Sequence, residues 1–298
     1  MNCLWLGVIA LLGGLWGAVP VQAGVLDRVA ATGTLVVGAR QDSVPFGYID
    51  ADGQWVGFSL EILELVRLQT ERELGRPVQL ELVVVTPQDR FDKIENGSIA
   101  IECGSTTITW DRDRRVDFSL SYFISGTQLL APVGNALETI SDLAGKRIGV
   151  VPETSNAANV RTLQPAAELV PVGDRATGLS KLEAGEIDAF ASDGIMLAGL
   201  RAAAAQPLAW EVVPDRPLQE ESYACSLPED DSRWRDLVNF AIARYLQGVI
   251  SDRLEMVDIY EQWFGESGVL PYPREAIDAY YSAILYSVEW IPFGSELY

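Results

Sequence analysis

Short apolar runs alternate with amphipathic stretches along most of the chain, which is the pattern of a sheet wound with helices. Gly33–Arg40 reads as a buried strand entered from a turn, and Val78–Val85 and Ile99–Cys103 read as two more. Between the first two, Leu60, Ile62, Leu63, Val66 and Leu74 share one broad face. They predict a helix from Leu60 to about Leu74, capped by Ser59 and stopped by Gly75-Arg-Pro77. Thr86-Pro-Gln-Asp-Arg90 opens a short helix that Gly97 closes. A long strand-like run follows at Tyr122–Ala131.

The pattern then restarts. A short helix at Ile140–Lys146 precedes a strand at Arg147–Val151, and a loop through Ser155-Asn156 feeds another helix. Gly178–Gly185 is helical, Ile187–Asp193 is a strand, Gly194–Ala205 is an Ala-rich helix and Trp210–Val213 is a further strand. Glu221–Leu227 returns the chain to its first half. Ser232–Leu246 is an amphipathic helix, and Gly248–Phe264 is expected to hold a last helix pair. The tail from Val269 to Tyr298 carries Tyr272, Tyr280, Tyr281, Tyr286, Trp290 and Phe293. It is expected to pack over the first half of the fold, with a partner-facing patch as the alternative. The class is α/β, and 298 residues suffice for two domains.

Composition narrows the chemistry. The net charge of −20 repels nucleic acid and anionic lipid surfaces, and so excludes them as partners. There is no histidine, which removes Ser-His-Asp and Cys-His catalysis and histidine metal sites. No metal or other cofactor is implied. Residues 1–23 are uncharged and apolar from Leu4 to Gly17, broken at Pro20, with small residues in Val21-Gln22-Ala23. They read as a signal peptide cleaved after Ala23, although no Lys or Arg precedes the apolar core, so an uncleaved anchor stays open. Of three cysteines, Cys3 lies in that segment. Cys103 and Cys225 then remain as a candidate disulfide in an exported chain, or as two buried thiols.

The candidate chemistry gathers at strand ends. Arg40, Arg90 and Arg112 each follow one of three successive strands, where ligands of α/β sheets collect. The stretch from Glu102 to Ser119 turns through Gly104 into Ser105, Thr106 and Thr107. It then reads as a helical turn holding Asp111, Arg112 and Asp113. Hydroxyls, backbone N–H groups and a guanidinium there suit one negative group. The bland alternative is a surface loop whose arginines pair with Asp111, Asp113 and Asp117.

Several of these stretches carry a resemblance: Gly38-Ala-Arg-Gln-Asp-Ser-Val-Pro-Phe46, Glu102-Cys-Gly-Ser-Thr-Thr107 with Arg112, Leu182-Glu-Ala-Gly185 through Asp193, and Glu221-Ser-Tyr-Ala-Cys225. Over roughly Val25 to Phe264 the chain resembles the family 3 solute-binding proteins of polar amino-acid ABC importers, in particular the glutamate/aspartate-binding branch. The resemblance implies a two-lobed, type II periplasmic-binding-protein-like venus flytrap, each lobe a mixed sheet flanked by helices. Lobe 1 is expected at 24–128 plus 224–298, including the aromatic extension, and lobe 2 at 129–223. Hinge strands are expected near Ser125–Ala131 and Glu221–Leu227.

By the same resemblance, Arg112 holds the ligand α-carboxylate with Ser105 and Thr107 from lobe 1 and Ser155 and Asn156 from lobe 2. Asp193 takes the α-ammonium, and Arg40 and Arg90 take a side-chain carboxylate. Three departures bear on this. Thr154-Ser-Asn156 stands where the family has Gly-Thr-Thr, and Pro87 stands where the branch has a serine. Arg175 stands where the branch has a histidine, and faces either the cleft or water. The implied protein is a periplasmic monomer that hands an amino acid, an acidic one or its amide, to a membrane permease. The competing classes are an enzyme on the same scaffold, dehydratase- or lyase-like, and a sensory module acting through a separate receptor.

Overall fold

The computed structural model describes residues 23–287. The predicted signal segment up to Gln22, and Trp290 and Phe293 of the tail, lie outside the described residues. In chain order the elements are α1 (Val25–Thr32), β1 (Thr34–Ala39), three short strands β2 (Asp42–Ser43), β3 (Gly47–Ile49) and β4 (Trp55–Val56), α2 (Phe58–Leu74), β5 (Gln79–Val84), α3 (Arg90–Glu95), β6 (Ile101–Glu102) and β7 (Asp117–Pro132). There follow β8 (Arg147–Val150), α4 (Ser155–Leu163), β9 (Glu168–Pro171), α5 (Arg175–Glu183), β10 (Ala189–Asp193), α6 (Gly194–Ala203), β11 (Trp210–Val213), β12 (Gln219–Leu227), α7 (Ser232–Ile250), α8 (Leu254–Phe264) and α9 (Arg274–Ser287).

One sheet runs through both lobes in the order β5-β1-β6-β12-β7-β10-β8-β9, with β11 added on β7. Strands β5, β1 and β6 are parallel, as are β10, β8 and β9. The two parallel sets are joined by antiparallel β12 and β7, paired from Gln219 opposite Thr127 to Leu227 opposite Asp117. Parallel strands need covered faces, and each set has its own core. In lobe 1, α1, α2, α7 and α8 close over Leu35, Val37, Phe123 and Cys225. In lobe 2, Leu129, Ile148 and Ala191 pack on one face, and Leu130, Phe190 and Leu197 on the other.

Under the site lies an aromatic knot. The rings of Phe123 and Phe264 stand 4.8 Å apart, those of Phe58 and Phe264 4.9 Å, and those of Phe46 and Phe123 5.0 Å. Phe46 therefore fixes the β2–β3 hairpin, and with it Asp42 and Ser43, onto lobe 1. Cys103 and Cys225 are bonded, tying the strand region before the candidate loop to the returning strand β12. The closed loop spans 122 residues, which in the chain-entropy view contributes about 4–5 kcal/mol.

Several elements differ from expectation. Helix α2 starts at Phe58 and is capped by Gly57, not Ser59. Gly57 has φ 142°, and a Cβ there would meet the Phe46 carbonyl oxygen at 2.0 Å, so no other residue fits this entry. Helix α7 runs on through Gly248 to Ile250, leaving one further helix, α8, in place of a pair. Helix α5 begins at Arg175, one turn before the expected start, because Asp174 caps it by accepting from the Thr177 N–H at 2.7 Å. Residues 110–115 form hydrogen-bonded turns, with the Asp113 N–H donating to the Thr109 carbonyl and the Val116 N–H to the Arg112 carbonyl, but no continuous helix, and β7 starts at Asp117. The aromatic tail, by contrast, packs over lobe 1 as expected in its described part: it forms α9, whose Ile277 and Tyr281 are fully buried there.

Candidate functional site

The seam between the lobes is built from strand ends and helix starts. Lobe 1 contributes Arg40 after β1, Arg90 at the start of α3, and Ser105 to Arg112 after β6. Lobe 2 contributes Ser155 and Asn156 at the start of α4, Arg175 at the start of α5, and Asp193 at the end of β10. The crossing strand β12 adds Glu221. A cavity of about 20 Å³ remains between Arg40, Asp42, Pro87, Asn156, Arg175 and Ser192, so the lobes stand closed on one another.

At one end of the seam the lobes meet through hydroxyls. Thr107 Oγ1 is 3.0 Å from Ser155 Oγ, and both donate to Glu221 Oε2, Ser155 at 2.5 Å. The other oxygen of Glu221 accepts from Thr127 Oγ1 at 2.6 Å and Asn159 Nδ2 at 2.8 Å. Asn156 Nδ2 donates to Thr127 Oγ1 at 3.0 Å, with longer contacts of 3.4 Å to Asp193 and Glu221. Arg112 lies at the rim. Its guanidinium donates to the Thr107 carbonyl at 2.7 Å and reaches the Glu153 carbonyl of lobe 2 at 3.5 Å. Among the described residues no carboxylate forms an ion pair with Arg112. Ser105 is half-buried in the same loop, and no hydrogen bond joins it to the others.

The other end is guanidinium-rich. Arg40 donates from Nε at 3.1 Å and Nη2 at 2.6 Å to Asp42 Oδ1. Arg175 faces the cleft: its Nη1 lies 3.5 Å from Asp42 Oδ2 and donates to Ser43 Oγ at 3.2 Å. Arg90 is fully enclosed and donates to Thr106 Oγ1 at 2.8 Å, which in turn donates to the buried Glu102 at 2.7 Å. The Arg90 Nε and Glu102 Oε1 atoms are left without partners. Buried groups in this position are costly unless something completes them.

Charge is balanced at the seam. Arg40, Arg90, Arg112 and Arg175 are matched by Asp42, Glu102, Asp193 and Glu221. Asp193 was expected to be the cleft carboxylate; the structure adds three more. Burial pushes the Asp193 carboxyl well above the usual carboxylate range, and the charge of Glu221 pushes it further, with Arg175 and Asn156 opposing. Burial likewise lowers the Arg90 guanidinium to about 9, with Glu102 opposing and Arg112, Arg40 and Arg175 adding to the effect. Burial lowers Arg175 too, and the nearby charge of Arg40 lowers it further. Asp42 runs the other way. Burial favours its neutral form, but Arg40 and Arg175 together hold its carboxyl below the ordinary value.

The seam thus gathers Arg40, Arg90, Thr107, Arg112, Ser155, Asn156, Arg175 and Asp193 between two lobes. What the residue pattern missed is Glu221, Asp42 and the Thr106–Glu102 relay. Among the described residues no group of His, Cys, Asp and Glu is arranged to hold a metal ion, and no helix is long and apolar enough to cross a membrane.

Comparison with known proteins bears on the family and the fold. The "Glutamate/aspartate import solute-binding protein" of Escherichia coli (strain K12) is 31% identical over 252 residues, covering 83% of this chain and 82% of that protein. Its counterpart of the same name in Salmonella typhimurium is 32% identical over 246 residues, covering 81% of each. Both are named as solute-binding proteins and neither as an enzyme. Among solved structures, the ancestral amino acid-binding protein AncCDT-1, a precursor of cyclohexadienyl dehydratase, superposes with a TM-score of 0.69. Its identity is 23%, covering 81% of this chain and 99% of that one, which speaks for the fold. Residues 35–266 match the bacterial extracellular solute-binding proteins, family 3, and the chain belongs to that family.

Proposed function

We propose that this protein captures an acidic L-amino acid, glutamate or aspartate, outside the cytoplasm and delivers it to the permease of an ABC importer. Export by residues 1–23 and work in the periplasm as a monomer belong to the same reading. Arg112 holds the α-carboxylate with Ser105, Thr107, Ser155 and Asn156. Asp193, joined by Glu221, faces the α-ammonium. Arg40, Arg90 and Arg175 hold the side-chain carboxylate.

One observation carries the acidic preference: Arg40 and Arg175, from opposite lobes, reach the same carboxylate, that of Asp42, at 2.6 and 3.5 Å. A spot where two lobes converge on one carboxylate suits a ligand that bridges them, and closure needs a ligand held by both sides. The relatives named for glutamate and aspartate support the same class.

A thermal-shift screen over the twenty amino acids tests this. Glutamate or aspartate at 100-fold its dissociation constant stabilises the fold by about 2.7 kcal/mol. Arg112→Ala is expected to abolish binding of every amino acid, while Arg40→Ala mainly erodes discrimination between glutamate and glutamine. Normal calorimetric binding by Arg112→Ala would sink the assignment.

A further inference from the structure

Two of the cleft arginines are already engaged, by a carboxylate of the protein itself. Asp42 sits on the short strand β2, two residues past Arg40, and presents one oxygen to each lobe: Oδ1 to Arg40 at 2.6 Å and Oδ2 to Arg175 at 3.5 Å. The three side chains are not equally placed. Those of Arg40 and Arg175 are 7% and 13% exposed, whereas that of Asp42 is 39% exposed. The guanidinium groups are therefore walls of the seam, and the carboxylate is the part with a path to water.

The surroundings fix the walls further. Arg175 is held by Ser43 Oγ at 3.2 Å and Ser192 Oγ at 3.4 Å. The Arg40 carbonyl accepts from Trp55 Nε1 at 2.6 Å, which pins the backbone that carries the guanidinium. Among the described residues, the Asp42 carboxylate, apart from its two arginines, accepts only from the Ser43 hydroxyl, at 3.4 Å.

We infer that Asp42 is a specificity-determining residue: a tethered carboxylate that holds Arg40 and Arg175 until the side-chain carboxylate of an acidic ligand displaces it. This rests on the proposed capture of glutamate or aspartate. A dicarboxylic ligand gains the two guanidinium groups only by releasing Asp42, so its net gain is an exchange of one carboxylate for another. A neutral amide ligand leaves Asp42 in place and forgoes the exchange. Asp42 therefore lowers affinity for acidic ligands selectively and narrows the gap between glutamate and glutamine. It also keeps two buried cations paired before ligand arrives, which a lone pair of guanidinium groups in a closed seam requires.

Titration calorimetry with glutamate, aspartate, glutamine and asparagine on the wild type, Asp42→Asn and Asp42→Ser tests this. Both variants keep a short polar side chain and remove the charge. Glutamate and aspartate are expected to bind about tenfold or more tightly to both variants, with glutamine and asparagine shifted by less than about threefold. A parallel shift of acid and amide ligands, or weaker glutamate binding, in a protein that does bind glutamate overturns the role of Asp42 alone. If wild type and variants bind none of the four, the amino-acid reading falls, and this inference with it.

Discussion

Asp193 is the residue whose chemistry reaches furthest beyond its position. Its carboxyl is buried at the end of β10 and faces Glu221 and Tyr223 from β12, Arg175 from α5 and the charge of Arg112 across the seam. Burial first, and Glu221 second, raise its protonation range well above the ordinary carboxylate value. A ligand ammonium placed against it favours the charged form, so the bound-state value is lower than the free one. Binding then releases a proton in the interval between the two values. Affinity is full above the raised free value and falls as pH drops through that interval. Calorimetry at about pH 6 in two buffers of different ionisation enthalpy, above the ordinary Asp value of about 3.9, is expected to give different observed enthalpies. Equal enthalpies in both buffers would remove Asp193 from the ammonium site. The neighbouring Glu221 shows why the rest of this constellation was hidden. Glu220 and Glu221 are adjacent in a strand, so alternation puts one inward and one outward, but nothing local says which. Only pairing with β7, which sets Glu221 opposite Ser125, turns it inward to five hydroxyl and amide groups.

Among the elements, those with a clean hydrophobic period were legible and those set by tertiary demands were not. Strands β1, β5, β8 and β10, and helices α2 and α7, follow their apolar positions, because a buried face must repeat along the element. The 110–115 segment has the charged composition of a helix start but makes only separate hydrogen-bonded turns before β7 begins at Asp117. Arg175 could be placed on either side because its helix start is set by the Asp174 cap, a local choice with no hydrophobic signature. Helix α9 was legible in its packing over the first half of the fold, though not in being a helix. It lies past residue 266, where the family match ends, yet it is stitched into lobe 1. Tyr281 donates to the Tyr122 carbonyl at 3.1 Å, and the Tyr280 hydroxyl is 2.5 Å from Ser121 Oγ, both on the crossing strand β7. Since Tyr281 is fully buried among Tyr245 and its neighbours, Tyr281→Ala is expected to cost about 3–5 kcal/mol. Denaturant unfolding followed by tryptophan fluorescence measures this. A loss under about 1 kcal/mol would mean that α9 is an appendage and not part of the lobe 1 core.

At the scale of the whole molecule, the proposed capture of glutamate or aspartate raises the question of how a protein of net charge −20 would collect an anion. A cluster of unopposed arginines would reverse the field at the cleft. The seam instead sets four carboxylates, Asp42, Glu102, Asp193 and Glu221, near its four arginines, with Asp42 in direct contact with two of them, so the cluster is close to neutral and the surrounding charge is uncompensated. Arginines so placed supply short-range contacts after arrival, not long-range attraction before it. Association of glutamate is then opposed by the field of the whole protein, and salt relieves that opposition. The screening length falls from about 30 Å at 0.01 M to about 8 Å at 0.15 M ionic strength. Stopped-flow measurements are therefore expected to show a rising association rate for glutamate over this range and a flat one for glutamine. Steering by the arginines would give the opposite slope for glutamate, since attraction weakens with salt. Such a slope would mean that the internal carboxylates, Asp42 first among them, have left the guanidinium groups by the time the ligand approaches, and that the open form carries a positive cleft which closure neutralises.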